Sequence, residues 1–227
     1  MPRLLIHVEG QTEEAFVNEV LGDHLLSVGY EYVAARIIGN ARLQRRRGGI
    51  RPWPSVKRDI VNHLKEDTTC IATTMVDYYG LPQQGAAAWP GRATAIGLDL
   101  SKKAACVESA IFRDVAGEVD STNRFVPFVV MHEFEALLFS DCHALSRGIE
   151  RPGLQSRFEL VRQQFANPEE INDSPETAPS KRMESIVLGY EKPLMGILAA
   201  LEIGLSKIRI ECPHFNSWVS KLESLVS

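Results

Sequence analysis

Acidic residues recur at the points where apolar runs give out. Glu9 follows the run 4–8, Asp77 follows 70–76, and Glu133 and Glu135 follow 125–131, while Glu13 comes one helical turn beyond Glu9. Carboxylate oxygens are hard ligands suited to Mg2+ or Mn2+, and several of them close together repel strongly unless a cation lies among them. Magnesium commonly takes one or two carboxylates while keeping water for substrate phosphates. Glu9, Asp77, Glu133 and Glu135 are therefore the candidate metal ligands, and Glu13 is a further candidate catalytic group.

Each of these residues also has a plainer reading. Acidic side chains in a first helical turn oppose the positive end of the macrodipole, which accounts for Glu14 and leaves Glu13 open. Asp77, ahead of Tyr78-Tyr79-Gly80, could be a turn residue bonded to its own backbone. Glu133 and Glu135 point apart on a regular helix and share a side only in extended or capping geometry; Glu133, nearer the strand, is preferred. Asp141, after Ser140, reads as a cap or turn residue rather than a ligand.

Basic groups could complete such a site. The cluster 42–51 contains Arg45, Arg46 and Arg47, whose guanidinium groups could grip phosphate oxygens in pairs and contact nucleic acid, the alternative being a solvated loop. Lys181 and Arg182 follow Pro179-Ser180 and could stabilise developing phosphate charge if carried over the acidic edge; a surface helix is the alternative. Glu9-Gly10-Gln11-Thr12 has one glycine and no lysine after it, and the chain has no G-x-S-x-G, so phosphate-cradling ATPase loops and serine hydrolase chemistry drop out. Cys142-His143 and Cys212-Pro213-His214 lack spaced partners for zinc and read as packed cysteines.

The elements that would position these groups alternate. Residues 4–8 read as a buried strand, turned by Glu9-Gly10-Gln11 into a helix that Thr12 can cap, with Phe16, Val17, Val20, Leu21 and Leu25 on its apolar stripe and Gly29 at its end. A second strand is expected over 32–38. Trp53, Val56, Ile60 and Leu64 predict a helix, 70–76 a buried strand, 102–112 a helix, and 125–131 a strand that Pro127 confines to an edge or makes irregular. This order predicts parallel βαβ units, an α/β fold whose strand ends share one edge where ligands bind. The expected organisation is a core over 1–144, an inserted helical cap or lid over 145–180, and a helical C-terminal part over 181–227 packing on the core.

Composition narrows the class. With 227 residues, 44% hydrophobic and 24% charged, the chain can bury one large core, and no run approaches the roughly 20 apolar residues of a membrane helix, so neither export signal nor anchor is expected. Four scattered cysteines without a C-x-x-C pair fit a reducing cytoplasm. A net charge of -4 argues against coating nucleic acid by bulk attraction while allowing a local basic stripe.

Val8-Glu9-Gly10-Gln11-Thr12-Glu13-Glu14, Asp77-Tyr78-Tyr79-Gly80-Leu81-Pro82 and His132-Glu133-Phe134-Glu135-Ala136-Leu137-Leu138-Phe139-Ser140-Asp141, in this order and spacing, resemble the bacterial family catalogued as domain of unknown function 4276. The similarity extends to Arg47-Gly48-Gly49-Ile50, Ala178-Pro179-Ser180-Lys181-Arg182 and Cys212-Pro213-His214-Phe215 with Trp218, nearly the whole chain. The resemblance implies a relation to the topoisomerase-primase (TOPRIM) fold, in which a glutamate after the first strand and an Asp-x-Asp after a later one bind magnesium; Glu9 and Asp77 match those positions. Tyr79 stands where the second aspartate is expected, so a ligand would come from Glu133 or Glu135. What the resemblance implies is a metal-dependent nuclease acting on DNA or RNA beside an ATPase in phage defence. The mechanism expected is two metals about 4 Å apart held by Glu9, Asp77 and Glu133, with Glu13 and Glu135 completing the shell or orienting water. A TOPRIM-like regulatory subunit without catalysis and a metal-dependent phosphatase are the alternatives, and a homodimer is allowed.

Overall fold

The computed structural model describes residues 2–38, 50–119, 122–171 and 174–226. Four parallel pairings build its sheet. β1 (Arg3–Val8) lies between β2 (Tyr32–Ile37) and β3 (Cys70–Asp77), and β3 carries on its far side two short strands, β4 (Phe125–Val126) and β5 (Val129–Val130). Val8 is level with Met75, and Asp77 with Val130, so all the strands end at one edge. The parallel sheet expected from the alternating pattern is present.

β3 is buried along its whole length, as a central parallel strand covered on both faces must be. Its two threonines repair a flaw in the neighbouring strand. Pro127 has no N–H and splits the expected strand 125–131 into β4 and β5. Thr74 Oγ1 then donates to Phe128 O at 2.8 Å and accepts from Phe128 N at 2.9 Å, while Thr73 Oγ1 donates to Val126 O. On the outer side of β5, Val129 N donates to Glu108 Oε1 of α4 (Leu100–Ala116) at 3.0 Å, which covers the edge.

Helices cover both faces. α3 (Trp53–Glu66) and α4 pack Val56, Ile60, Val107 and Ile111 against Ala72 and Val76. On the other face, Leu4, Ile6 and Val8 meet α1 (Gln11–Phe16), a π-helical turn (Val17–Leu21) and α2 (Gly22–Ser27). The same cluster takes in α5 (Glu135–Leu138), α6 (Cys142–Gly148), α7 (Gln155–Arg162), α8 (Pro179–Ile186), α9 (Lys192–Ile203), α10 (Leu205–Glu211) and α11 (Pro213–Glu223). From the stretch 145–180, Leu145, Phe158 and Ile171 reach this cluster, and Glu169 accepts from His214 N and Phe215 N at 2.9 Å each, capping α11. No helix among the described residues is long and apolar enough to cross a membrane.

One local difference from the sequence reading has a physical cause. Thr12 does not cap α1: the cap position is Gly10, and Thr12 is buried against α9, where a Cβ built on Gly196 would be 3.2 Å from Thr12 Cγ2. Asp141 caps as expected, accepting from Ala144 N at 2.9 Å.

α6 and α9 touch backbone to backbone. A Cβ on Gly148 would fall 2.7 Å from Leu198 O and 2.8 Å from Ala199 Cα. Neither contact is a flexible side-chain end, so Gly148→Ala is expected to force the helices apart and cost about 1–3 kcal/mol, read as a lowered thermal midpoint. An unchanged midpoint would show that α9 can move away freely.

Candidate functional site at the acidic edge

The turn that leaves β1 places Glu9 beside the end of β3. Asp77 N donates to Glu9 Oε2 at 3.3 Å, and the Asp77-Tyr78-Tyr79-Gly80 turn closes over it: a Cβ on Gly80 would lie 3.6 Å from Glu9 Oε1. Asp77 is 6% exposed, and its Oδ1 accepts from Phe134 N at 2.9 Å. One aspartate thus fixes where the chain after β5 turns into α5. That turn is tight, with His132 at φ 65, a left-handed conformation uncommon outside glycine, and Tyr79 N donating to His132 O at 3.0 Å.

Glu135, in the first turn of α5, is fully buried. Neither of its oxygens receives a well-directed hydrogen bond among the described residues. The Lys192 ammonium, at the start of α9, lies 3.1 Å from Glu135 Oε2 and 3.8 Å from Asp77 Oδ2. Glu13 is 3% exposed in the first turn of α1. Glu133 is tied differently: its Oε2 accepts from Ser180 N at 2.8 Å, at the N-terminus of α8.

The electrostatics follow from this crowding. Burial, and then the charge of Glu13, push Glu9 up from 4.5 to about 7 against the Asp77 N–H and Lys192. Burial likewise holds Asp77 well above its ordinary value; Lys192 opposes this, while Glu9, Glu13 and Glu135 add to it. Burial raises Glu135, against Lys192 and with Glu133. Burial acts to lower Lys192, but Asp77, Glu135 and Glu13 outweigh it and hold the ammonium above the ordinary lysine range.

The structure therefore brings Glu9, Glu13, Asp77 and Glu135 together around Lys192, with Glu133 adjoining. Lys181 is exposed and paired with Glu184 at 2.7 Å, near enough to Glu133 and Tyr79 for both to raise its pKa behind Glu184. Arg182 donates from Nε to Thr177 O at 2.8 Å, and its guanidinium lies 5.2 Å from the Phe165 ring centre. Arg45, Arg46 and Arg47 lie outside the described residues. Lys192 is the residue that the spacing did not announce.

The donor chemistry suits a hard divalent ion, and Asp77 and Glu135 face one point. That point is taken by the lysine, and no three of the described His, Cys, Asp and Glu side chains are arranged as ready ligands for one ion. What the arrangement can do as it stands is hold protons on buried carboxylates and hold a cation among them.

No curated protein and no solved structure matches the chain. A family model described as domain of unknown function (DUF4276) matches residues 8–223. That span contains every residue of the acidic edge, and the chain belongs to the DUF4276 family.

Proposed function

We propose that the acidic edge binds Mg2+ or Mn2+ and hydrolyses phosphodiester bonds in DNA or RNA. The observation that carries this reading is a shortage of positive charge: Glu9, Glu13, Asp77, Glu133 and Glu135 meet at one edge, three of them with raised pKa values, and Lys192 lies within ion-pair distance of two of them, Asp77 and Glu135. Glu9, Asp77 and Glu135 would hold the cations, with Glu13 and Glu133 adjoining. Bound there, they would supply Lewis-acid polarisation of a phosphoryl oxygen and a more acidic attacking water.

The chain's own groups have separable tasks. Lys192 balances Asp77 and Glu135 while the edge is free of metal and turns to phosphate oxygens once those carboxylates are engaged. Lys181, exposed beside Glu133, adds positive charge at the rim, and Arg182 orders the turn at Thr177 and Phe165. Ser180 N on Glu133 couples α8, at the end of the expected cap, to the edge. Arg45, Arg46 and Arg47 would track the polyanion. A TOPRIM-like ancestry, cytoplasmic action beside an ATPase and a role in phage defence belong to the same reading.

Two features favour a second reading, a TOPRIM-like partner subunit without catalysis: Lys192 already lies within ion-pair distance of Asp77 and Glu135, and Tyr79 stands where the resemblance expects a second aspartate. The test is incubation of the protein and its Glu9→Gln variant with circular DNA, linear DNA and RNA in Mg2+, in Mn2+ and in EDTA. Cleavage that requires metal and is lost in the variant is the expected result. Absence of cleavage on all three substrates transfers the assignment to the partner subunit.

A further inference from the structure

A buried cation without an anion among the described residues rests on Tyr78, the residue that follows Asp77 of the acidic edge. Arg92 is 6% exposed, in the turn that follows Trp89-Pro90-Gly91. Its Nη1 donates to Tyr78 Oη at 3.0 Å, its guanidinium carbon lies 4.0 Å from the centre of the Tyr78 ring, and its Nε is enclosed with no acceptor among the described residues. Among the described residues no carboxylate lies within ion-pair distance of it. Tyr78 directly follows Asp77.

The placement is rigid. Gly91 has φ 75, and a Cβ there would meet Cys106 O at 2.7 Å and Val107 Cα at 2.8 Å, so this turn is pressed onto the backbone of α4. A second cation shares the tyrosine: Lys103 Nζ of α4 is 5.8 Å from the same ring centre. The Arg92 guanidinium is thus held by one ring and one hydroxyl, which return less than a carboxylate would for removing it from water. A guanidinium fork matches two oxygens of a phosphate.

We infer that Arg92, steered by Tyr78, is a phosphate-binding group. The bound phosphate is one the reaction does not cleave, on the backbone of a nucleic acid or on a small phosphate ester. The inference rests on the phosphodiester reading only for choosing phosphate as the anion.

The test is done in EDTA, where no hydrolysis occurs, on the wild type, Arg92→Met, Arg92→Lys and Glu9→Gln. Binding of inorganic phosphate and of a short labelled oligonucleotide is measured by thermal shift and fluorescence anisotropy. The wild type and Glu9→Gln are expected to bind, Arg92→Lys to bind several-fold more weakly, and Arg92→Met to lose about tenfold or more. Loss for both probes assigns a backbone phosphate, and binding of inorganic phosphate alone assigns a small ester. Wild-type binding of neither probe, or unchanged binding by Arg92→Met, overturns the inference. Should Arg92→Met fail to fold, Arg92→Lys decides together with Tyr78→Phe, which removes the Oη that steers the fork; wild-type affinity in both overturns it. Because Glu9→Gln is predicted to bind, failure of the nuclease reading would show as intact Arg92-dependent binding without cleavage in metal.

Discussion

Replacing Lys192 with methionine is expected to lower the unfolding midpoint at neutral pH, without divalent ions, by roughly 6–12 °C. Glu135 is fully buried, and its cation within ion-pair reach among the described residues is the ammonium 3.1 Å away, which Asp77 shares at 3.8 Å. Removing one partner of a buried pair strands the other, at about 3–5 kcal/mol; the low end applies because the lysine side chain keeps 40% of its exposure. At this chain length each kcal/mol moves the midpoint by about 2–4 °C. Mn2+ should restore most of the loss in the variant, since a divalent ion supplies the missing charge, and acid should narrow the gap, since stranded carboxylates then take up protons. On the proposed function, cleavage in saturating metal should still fall about 100-fold or more, because the group proposed to face phosphate is gone. A variant as stable as the wild type, or one whose deficit ignores Mn2+, would make Lys192 a packing residue.

Why Lys192 escaped the sequence while Glu9 and Asp77 did not is a matter of what records each position. The ends of β1 and β3 are written locally, in apolar runs that stop at a carboxylate, and a parallel sheet then brings them to one edge. Lys192 reaches that edge through the packing of α9 on α1, made possible by the missing side chain of Gly196 against Thr12. Nothing in Glu191-Lys192-Pro193 marks it apart from an ordinary helix start. The same packing explains Thr12, whose hydroxyl type suggested a cap while its position under α9 required burial.

Glu133 and Glu135 show the limit of spacing rules. Two residues apart, they would diverge on a helix, and proximity to the strand favoured Glu133. The left-handed His132 turns the chain so sharply that Glu135 goes inward to Lys192, while Glu133 reaches the N-terminus of α8. Backbone conformation at a non-glycine residue leaves little trace in sequence. Pro127 did leave one, and the split strand with its threonine repairs follows from it.

A measurable pH effect is expected at Glu9. Its pKa is about 7 in the folded protein against an ordinary 4.5, so between those values the folded state keeps a proton that the unfolded chain releases. The stability this group contributes is fully present below pH 4.5 and is lost as pH rises through 7, about 3 kcal/mol for a shift of that size. His7 acts in the opposite sense: burial, then His63 and Arg36, lower it from 6.5 to about 3, so its contribution is lost as pH falls through that window. A wild-type profile alone mixes these two with Asp77 and Glu135, which are also raised, and the informative quantity is the difference between wild type and Glu9→Gln, measured by denaturant unfolding in EDTA. Wild type should lose ground to the variant steadily from pH 4.5 to 7, and Mg2+ or Mn2+ should return it above pH 7, where the ion takes the place of the lost proton. Parallel profiles in EDTA would mean that Glu9 titrates as an ordinary carboxylate; divergent profiles that metal leaves untouched would keep the crowded carboxylates but remove the ion, and with it the nuclease.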